Sequence, residues 1–178
     1  MKLAERGFTI IELAVALAIM AVIGTAATTV TFQVFQGTER DNENMNVVYQ
    51  VRNAGYWITR DTQMAEGVAI TGLESPNFIL LTWTEQDYEG GDPVYHTITY
   101  LFADMTDGIG KLKRNHWSSA GENKSTLVAK NIYYDLTDPA NTTKVSYEDP
   151  VLTVRLATQF GDASQSEEYT IARRPNLN

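Results

Sequence analysis

The sequence predicts an α+β fold: one long N-terminal α-helix, half of it transmembrane, packed on an antiparallel β-sheet head. Three observations carry that expectation. Residues 13–30 form a run of eighteen without a charge, mostly Ala, Val, Ile, Leu and Met. A helical repeat of apolar residues follows, reaching to about residue 65. Beyond Gly67 the chain changes to runs rich in Thr, Val, Ile, Tyr and Phe, divided by turn-forming segments. One helix followed by a series of strands reads as a sheet laid on a helix.

The N-terminal run matches the roughly 20 residues that an apolar helix needs to cross a ~30 Å hydrocarbon core. A single-pass anchor is the plain reading. A secretory signal peptide is the rival, with Ala26-Ala27-Thr28 as its small-residue site, although such apolar regions usually span ~7–15 residues. Lys2 and Arg6 precede the run, while Glu39, Asp41 and Glu43 crowd its far side around Arg40. The positive-inside rule then keeps the leader in the cytoplasm and sends the C-terminal part across the membrane.

Glu12 lies one turn inside this apolar segment. A carboxylate there costs roughly 2.5–3.5 kcal/mol on insertion scales, and less near the interface. A simple anchor gains nothing from that cost, so the residue invites a partner. Arg6 is the local candidate; a cation from another chain or a new N-terminal amine is the other.

The segment Arg6-Gly7-Phe8-Thr9-Ile10-Ile11-Glu12-Leu13 resembles the class III signal of type IV prepilins and pseudopilins. The resemblance covers the leader and the first helix. It implies cleavage by a prepilin peptidase between Gly7 and Phe8, N-methylation of Phe8, and an assembly role for Glu12, the fifth residue of the mature chain. Methylation preserves the positive charge of the amine, so Glu12 of one subunit could pair with Phe8 of its neighbour and set the register. The implied domains are a leader at 1–7, a transmembrane and filament-core helix at 8–34, its amphipathic continuation at 35–66 and a β-rich head at 67–178. The implied partners are the peptidase, other pilin or pseudopilin subunits, a membrane assembly complex and membrane lipid. The implied location is the cytoplasmic membrane with the head outside, then an extracellular or periplasmic filament. The implied role is that of a structural subunit, minor pilin or pseudopilin, of a pilus or type II secretion-like machine; the alternative is a filament-tip binding module for DNA uptake or adhesion.

Gly24, followed by Thr25, Thr28, Thr29 and Thr31, predicts either a bend or unwinding of the helix or close packing through small residues. Further on, Val47, Val51, Ala54 and Ile58 recur at helical spacing, with Arg60 and Asp61 placed on the polar side. Gly67 is the expected stop. Residues 78–83, 95–102 and 151–160 read as the main strands, and 68–70, 111–115, 127–133, 145–147 and 168–172 as shorter ones. Residues 49–61 and 127–132 resemble the minor pseudopilin J group, whose late strand ends near an arginine–asparagine pair. Here that end reads Ala172-Arg173-Arg174-Pro175-Asn176, which departs from the pattern.

No enzyme is expected. The sequence lacks cysteine, which removes thiolate metal sites and cysteine nucleophiles, and it holds no G-x-S-x-G, Walker A or H-E-x-x-H motif. No histidine–carboxylate pair stands at a useful sequence spacing. No cofactor or metal is expected: His96 and His116 are the only histidines. Asp87, Glu89 and Asp92, like Asp104 and Asp107, read as solvated loop carboxylates rather than a calcium loop, because their spacing is not that of an EF-hand. The net charge of −8 opposes nucleic acid. One basic-aromatic cluster, Lys111, Lys113, Arg114, His116 and Trp117, could stack on and pair with a single strand, against the plainer reading of a solvated strand. Arg173-Arg174 reads as an exposed tail. Asn123-Lys124-Ser125 and Asn141-Thr142-Thr143 match the glycosylation triplet, which chance alone produces often.

Overall fold

The computed structural model describes residues 9–70, 76–86 and 91–175. Helix α1 (Ile10–Met64) precedes eight strands: β1 (Gly67–Ala69), β2 (Asn77–Glu85), β3 (Val94–Thr106), β4 (Ile109–Ser118), β5 (Asn123–Tyr133), β6 (Lys144–Glu148), β7 (Val151–Phe160) and β8 (Ala163–Ala172). The chain forms two compact units, Met1–Asn42 and Glu43–Asn178.

In the first unit the apolar side chains of α1 are exposed, from Ile10 and Ile11 through Val34 and Phe35. Among the described residues, α1 is the one helix with an 18-residue window apolar enough to cross a membrane. The stretch after Gly24 does not unwind: α1 is continuous through it, against the unwinding expected as one outcome there. Thr25, Thr28, Thr29 and Thr31 each donate to a carbonyl one turn back, at 2.8–3.0 Å. A hydroxyl satisfied this way needs no water, which suits an apolar helix surface.

In the second unit all strand pairs are antiparallel. They run β1-β2-β3-β4-β5-β7-β6, and β8 pairs with the other side of β7. Alternation sorts each strand into two faces. Ile79 and Leu81 of β2, Ile98, Tyr100 and Phe102 of β3, Leu112 of β4 and Leu152, Val154 and Leu156 of β7 are buried. They form one core with Val51, Ala54 and Ile58 of α1. The β3–β4 hairpin turns through Asp107 and Gly108, both at positive φ (50° and 77°), as a tight two-residue hairpin turn demands. Every strand expected from the pattern is present, and most extend further. The expected strands 111–115 and 127–133 fall short: β4 runs to Ser118 and β5 starts at Asn123 because the ladder between them continues to Trp117 and Asn123.

Polar side chains fasten α1 to this sheet. The β4–β5 ladder shifts register at Lys113, and near that irregularity α1 supplies substitute partners. Asn53 Nδ2 donates to the Val128 carbonyl at 2.5 Å, and Gln50 Oε1 accepts the Lys130 N–H at 2.7 Å. On β7, Thr158 Oγ1 donates to the Val47 carbonyl at 3.1 Å.

At Gly55, α1 lies close against the Tyr169 side chain of β8. A Cβ at this position would overlap the Tyr169 ring. Alanine normally improves a helix by up to ~1 kcal/mol over glycine, but overpacking of this kind costs about 1–3 kcal/mol. Gly55→Ala is therefore expected to lower the urea midpoint of the head, with Tyr169→Leu in the same chain restoring it.

Candidate functional site

Gly7 and Phe8, with Lys2 and Arg6, lie outside the described residues. The first described side chain of the predicted site is Glu12, and its partner is Thr9. Glu12 Oε2 accepts the Thr9 backbone N–H at 2.9 Å and the Thr9 hydroxyl at 3.0 Å, while Thr9 Oγ1 accepts the Glu12 N–H at 3.3 Å. This is a capping box: the threonine side chain and the glutamate three residues later satisfy each other's free amides at the helix start. The spacing Thr9-x-x-Glu12 carries that signal in the sequence, although the partners expected for Glu12 are cations: Arg6, or an amine or cation of another chain.

The capping box satisfies hydrogen bonds without cancelling charge. Thr9 contributes neutral donors, so an ionised Glu12 would still lack a countercharge at the head of the apolar helix. Glu12 is the only charged residue from Thr9 to Thr38. Its arrangement can therefore start the helix and still attract a cation.

The predicted basic-aromatic cluster does not exist as one surface. Lys111, Lys113 and Trp117 alternate with Arg114 and His116 along β4, so the two sets point to opposite faces. Trp117 is half exposed, whereas Arg114 is buried. Lys111 is further engaged with Asp104 at 2.6 Å, and that hydrogen bond and charge hold the Asp104 carboxyl below its ordinary range. Of the acidic turn, Asp87 and Glu89 fall outside the described residues, and Asp92 is exposed. Among the described residues no three His, Asp or Glu side chains are grouped to hold a metal. Asn123 and Asn141 are exposed, and Asn141 Nδ2 donates to both oxygens of Asp138.

Arg173 is not an exposed tail residue. Its Nε lies 2.8 Å from both the Tyr147 hydroxyl and Asp149 Oδ1, because β8 runs beside β7 to Ala172 and brings the residue after it against the β6–β7 turn. The hydrogen bond from Arg173 comes first in holding the Asp149 carboxyl below its usual range, followed by the one from Tyr147.

The sequence reading also placed Asp61 on the polar side of α1. The structure buries it completely. Arg114 Nε and Nη2 reach its two oxygens at 2.6 and 3.0 Å, and the Tyr100 hydroxyl donates to Oδ2 at 2.5 Å. The Arg114 guanidinium also sits 5.1 Å from the Trp57 ring centroid, close enough for a cation–π contact. Burial first, then the Asp61 charge, pushes the Tyr100 hydroxyl well above the ordinary phenol range. Tyr100 thus stays a neutral donor. This cluster is enclosed by the core and offers nothing to a substrate; its work is to join α1 to β3 and β4.

The N-terminal geometry has an independent counterpart. Residues 2–28 match the family model of the prokaryotic N-terminal methylation motif. That match spans the leader, Glu12 and the start of the apolar helix, and it supports a membrane-anchored, pilin-type subunit. No curated protein and no solved structure matches the chain. The pilin-like α+β architecture therefore stands on the fold itself, a long N-terminal apolar helix followed by an antiparallel sheet.

Removing one member of a buried ion pair strands the other, at about 3–5 kcal/mol. Asp61→Ala is expected to destabilise the head by that order in urea denaturation. Asp61→Leu combined with Arg114→Met and Tyr100→Phe should recover most of the loss, since no unpaired polar group then remains.

Proposed function

We propose that this chain is a structural subunit, a minor pilin or pseudopilin, of a type IV pilus or type II secretion-like filament. A prepilin peptidase removes residues 1–7, and the new amine of Phe8 is methylated. Residues 8–34 then serve as membrane span and filament core, residues 35–66 continue the helix, and 67–178 form the head. Glu12 pairs with the Phe8 amine of a neighbouring subunit as a membrane assembly complex lifts the chain out of the bilayer.

The observation that carries this reading is the carboxyl group of Glu12, capped by Thr9 at the head of a helix that matches the methylation motif. The motif is that of a structural-subunit family rather than a catalytic one. A minor role of the J type is supported by residues 49–61 and 127–132, the two segments that resemble that group. They meet through Asn53 with Val128 and Gln50 with Lys130.

The two roles of Glu12 separate by substitution. Glutamine preserves a capping box and removes the charge; alanine removes both. Charge pairing predicts that Glu12→Gln inserts into the membrane normally yet enters filaments as poorly as Glu12→Ala. Incorporation at the native level by Glu12→Gln would reduce Glu12 to a helix cap. Mass spectrometry of the mature N-terminus should find methylated phenylalanine from Phe8; an intact Met1, or a cut near Ala27, would refute the processing scheme.

A further inference from the structure

Beyond Arg114, the buried face of the sheet ends in two imidazoles laid over an indole. His96 of β3 stacks on Trp83 of β2, with centroids 4.8 Å apart and planes 7° apart; His116 of β4 lies 5.8 Å from the same indole at 13°. The two imidazole planes differ by 17°, with centroids 5.3 Å apart, yet His96 Nδ1 is only 3.1 Å from His116 Nε2. Near-parallel planes with such a difference between the two separations put the rings edge to edge, nitrogen facing nitrogen.

The outer nitrogens face carboxylates. His96 Nε2 lies 3.2 Å from Glu85 Oε2, and His116 Nδ1 lies 3.6 Å from Glu122 Oε2. These two pairs escaped the sequence reading, which saw no useful histidine–carboxylate spacing. An ionised carboxylate only accepts, so each outer nitrogen is best served carrying a proton. Two neutral rings so oriented would confront each other with bare lone pairs. One further proton completes the row as N–H···N between the rings. A fourth would set N–H against N–H across the same 3.1 Å. The gap also suits a proton by size: a zinc ion on that line needs about 4 Å between nitrogens, two bonds of ~2.0–2.1 Å.

We propose that His96 and His116 form a proton-sharing pair that carries one positive charge and refuses a second, making this end of the head a seam that mild acid opens. The surroundings are consistent with that count. Glu85 comes from β2, Glu122 from the turn before β5, and Lys124 of β5 stands across the ladder from His116. Arg114 shares the face two residues away and is matched by Asp61 of α1. Glu66 is occupied with the Thr84 N–H at 3.1 Å. Burial first, then the Arg114 charge, sets His116 against protonation; Glu122 opposes this, His96 adds to it and Asp61 opposes it, with a net lowering. A histidine that resists protonation when folded contributes stability above about pH 6.5, its unfolded value, and loses it as the pH falls below that.

The test uses the full chain in detergent micelles. Side-chain imidazole NMR of the wild type should show two separated titration steps shared by both rings, as coupled sites do. Two overlapping, independent steps would overturn the pairing. In parallel, His116→Gln keeps an acceptor toward His96 and a donor toward Glu122 but takes up no proton. Between about pH 6.5 and pH 5 the wild-type unfolding constant should rise by up to tenfold per pH unit, and that dependence should vanish in His116→Gln. Equal slopes in the two proteins would refute the seam. Should the variant fail to fold, the wild-type titration decides alone.

Discussion

The head depends on one charged contact inside an apolar interface. Val51, Ala54 and Ile58 of α1 press against the sheet, but apolar side chains tolerate small slides with modest loss. Asp61 does not. It is buried without exposure, and a buried carboxylate is tolerable only when its charge and lone pairs are answered. Arg114 from β4 and Tyr100 from β3 answer it together, and Trp57 from α1 covers the guanidinium. A shift of α1 by one turn would remove all of these at once. The contact thus contributes position more than net stability. The weaker fasteners at Gln50, Asn53 and Thr158 find their partners only in that register.

What was legible in the sequence follows from which interactions are local. Period-2 alternation in β2, β3 and β7 and helical spacing in α1 depend on residues a few positions apart, so the α+β order could be read directly. The sites were not. Asp61 meets Tyr100 and Arg114 across 39 and 53 positions, and His96 meets His116 across 20, so neighbours in sequence gave no hint. Adjacency was misleading on β4, where Lys113, Arg114, His116 and Trp117 look like one patch and alternation divides them between water and core. Arg173 repeats the lesson, since the strand pairing that carries it to Asp149 is invisible until β8 is placed beside β7. The capping box of Thr9 and Glu12 is local, and its spacing makes it legible in the sequence.

The capping box bears on what the carboxyl group of Glu12 can do at the helix start. Polar groups elsewhere in the apolar stretch are self-contained: the threonine hydroxyls bond back to the helix, and backbone amides are held by the helix itself. Glu12 is also satisfied in the narrow sense, with its Oε2 accepting two donors from Thr9. Hydrogen bonding and charge are separate demands, however, and a low-dielectric environment penalises an uncompensated charge even when its hydrogen bonds are complete. If capping were the sole purpose, glutamine would serve with no charge to bury. A glutamate in the same position retains an attraction that only a cation removes. The cap holds the carboxylate in a fixed place at the helix start, and under the proposed pairing that fixed place is what an incoming amine would require of a partner that sets axial register.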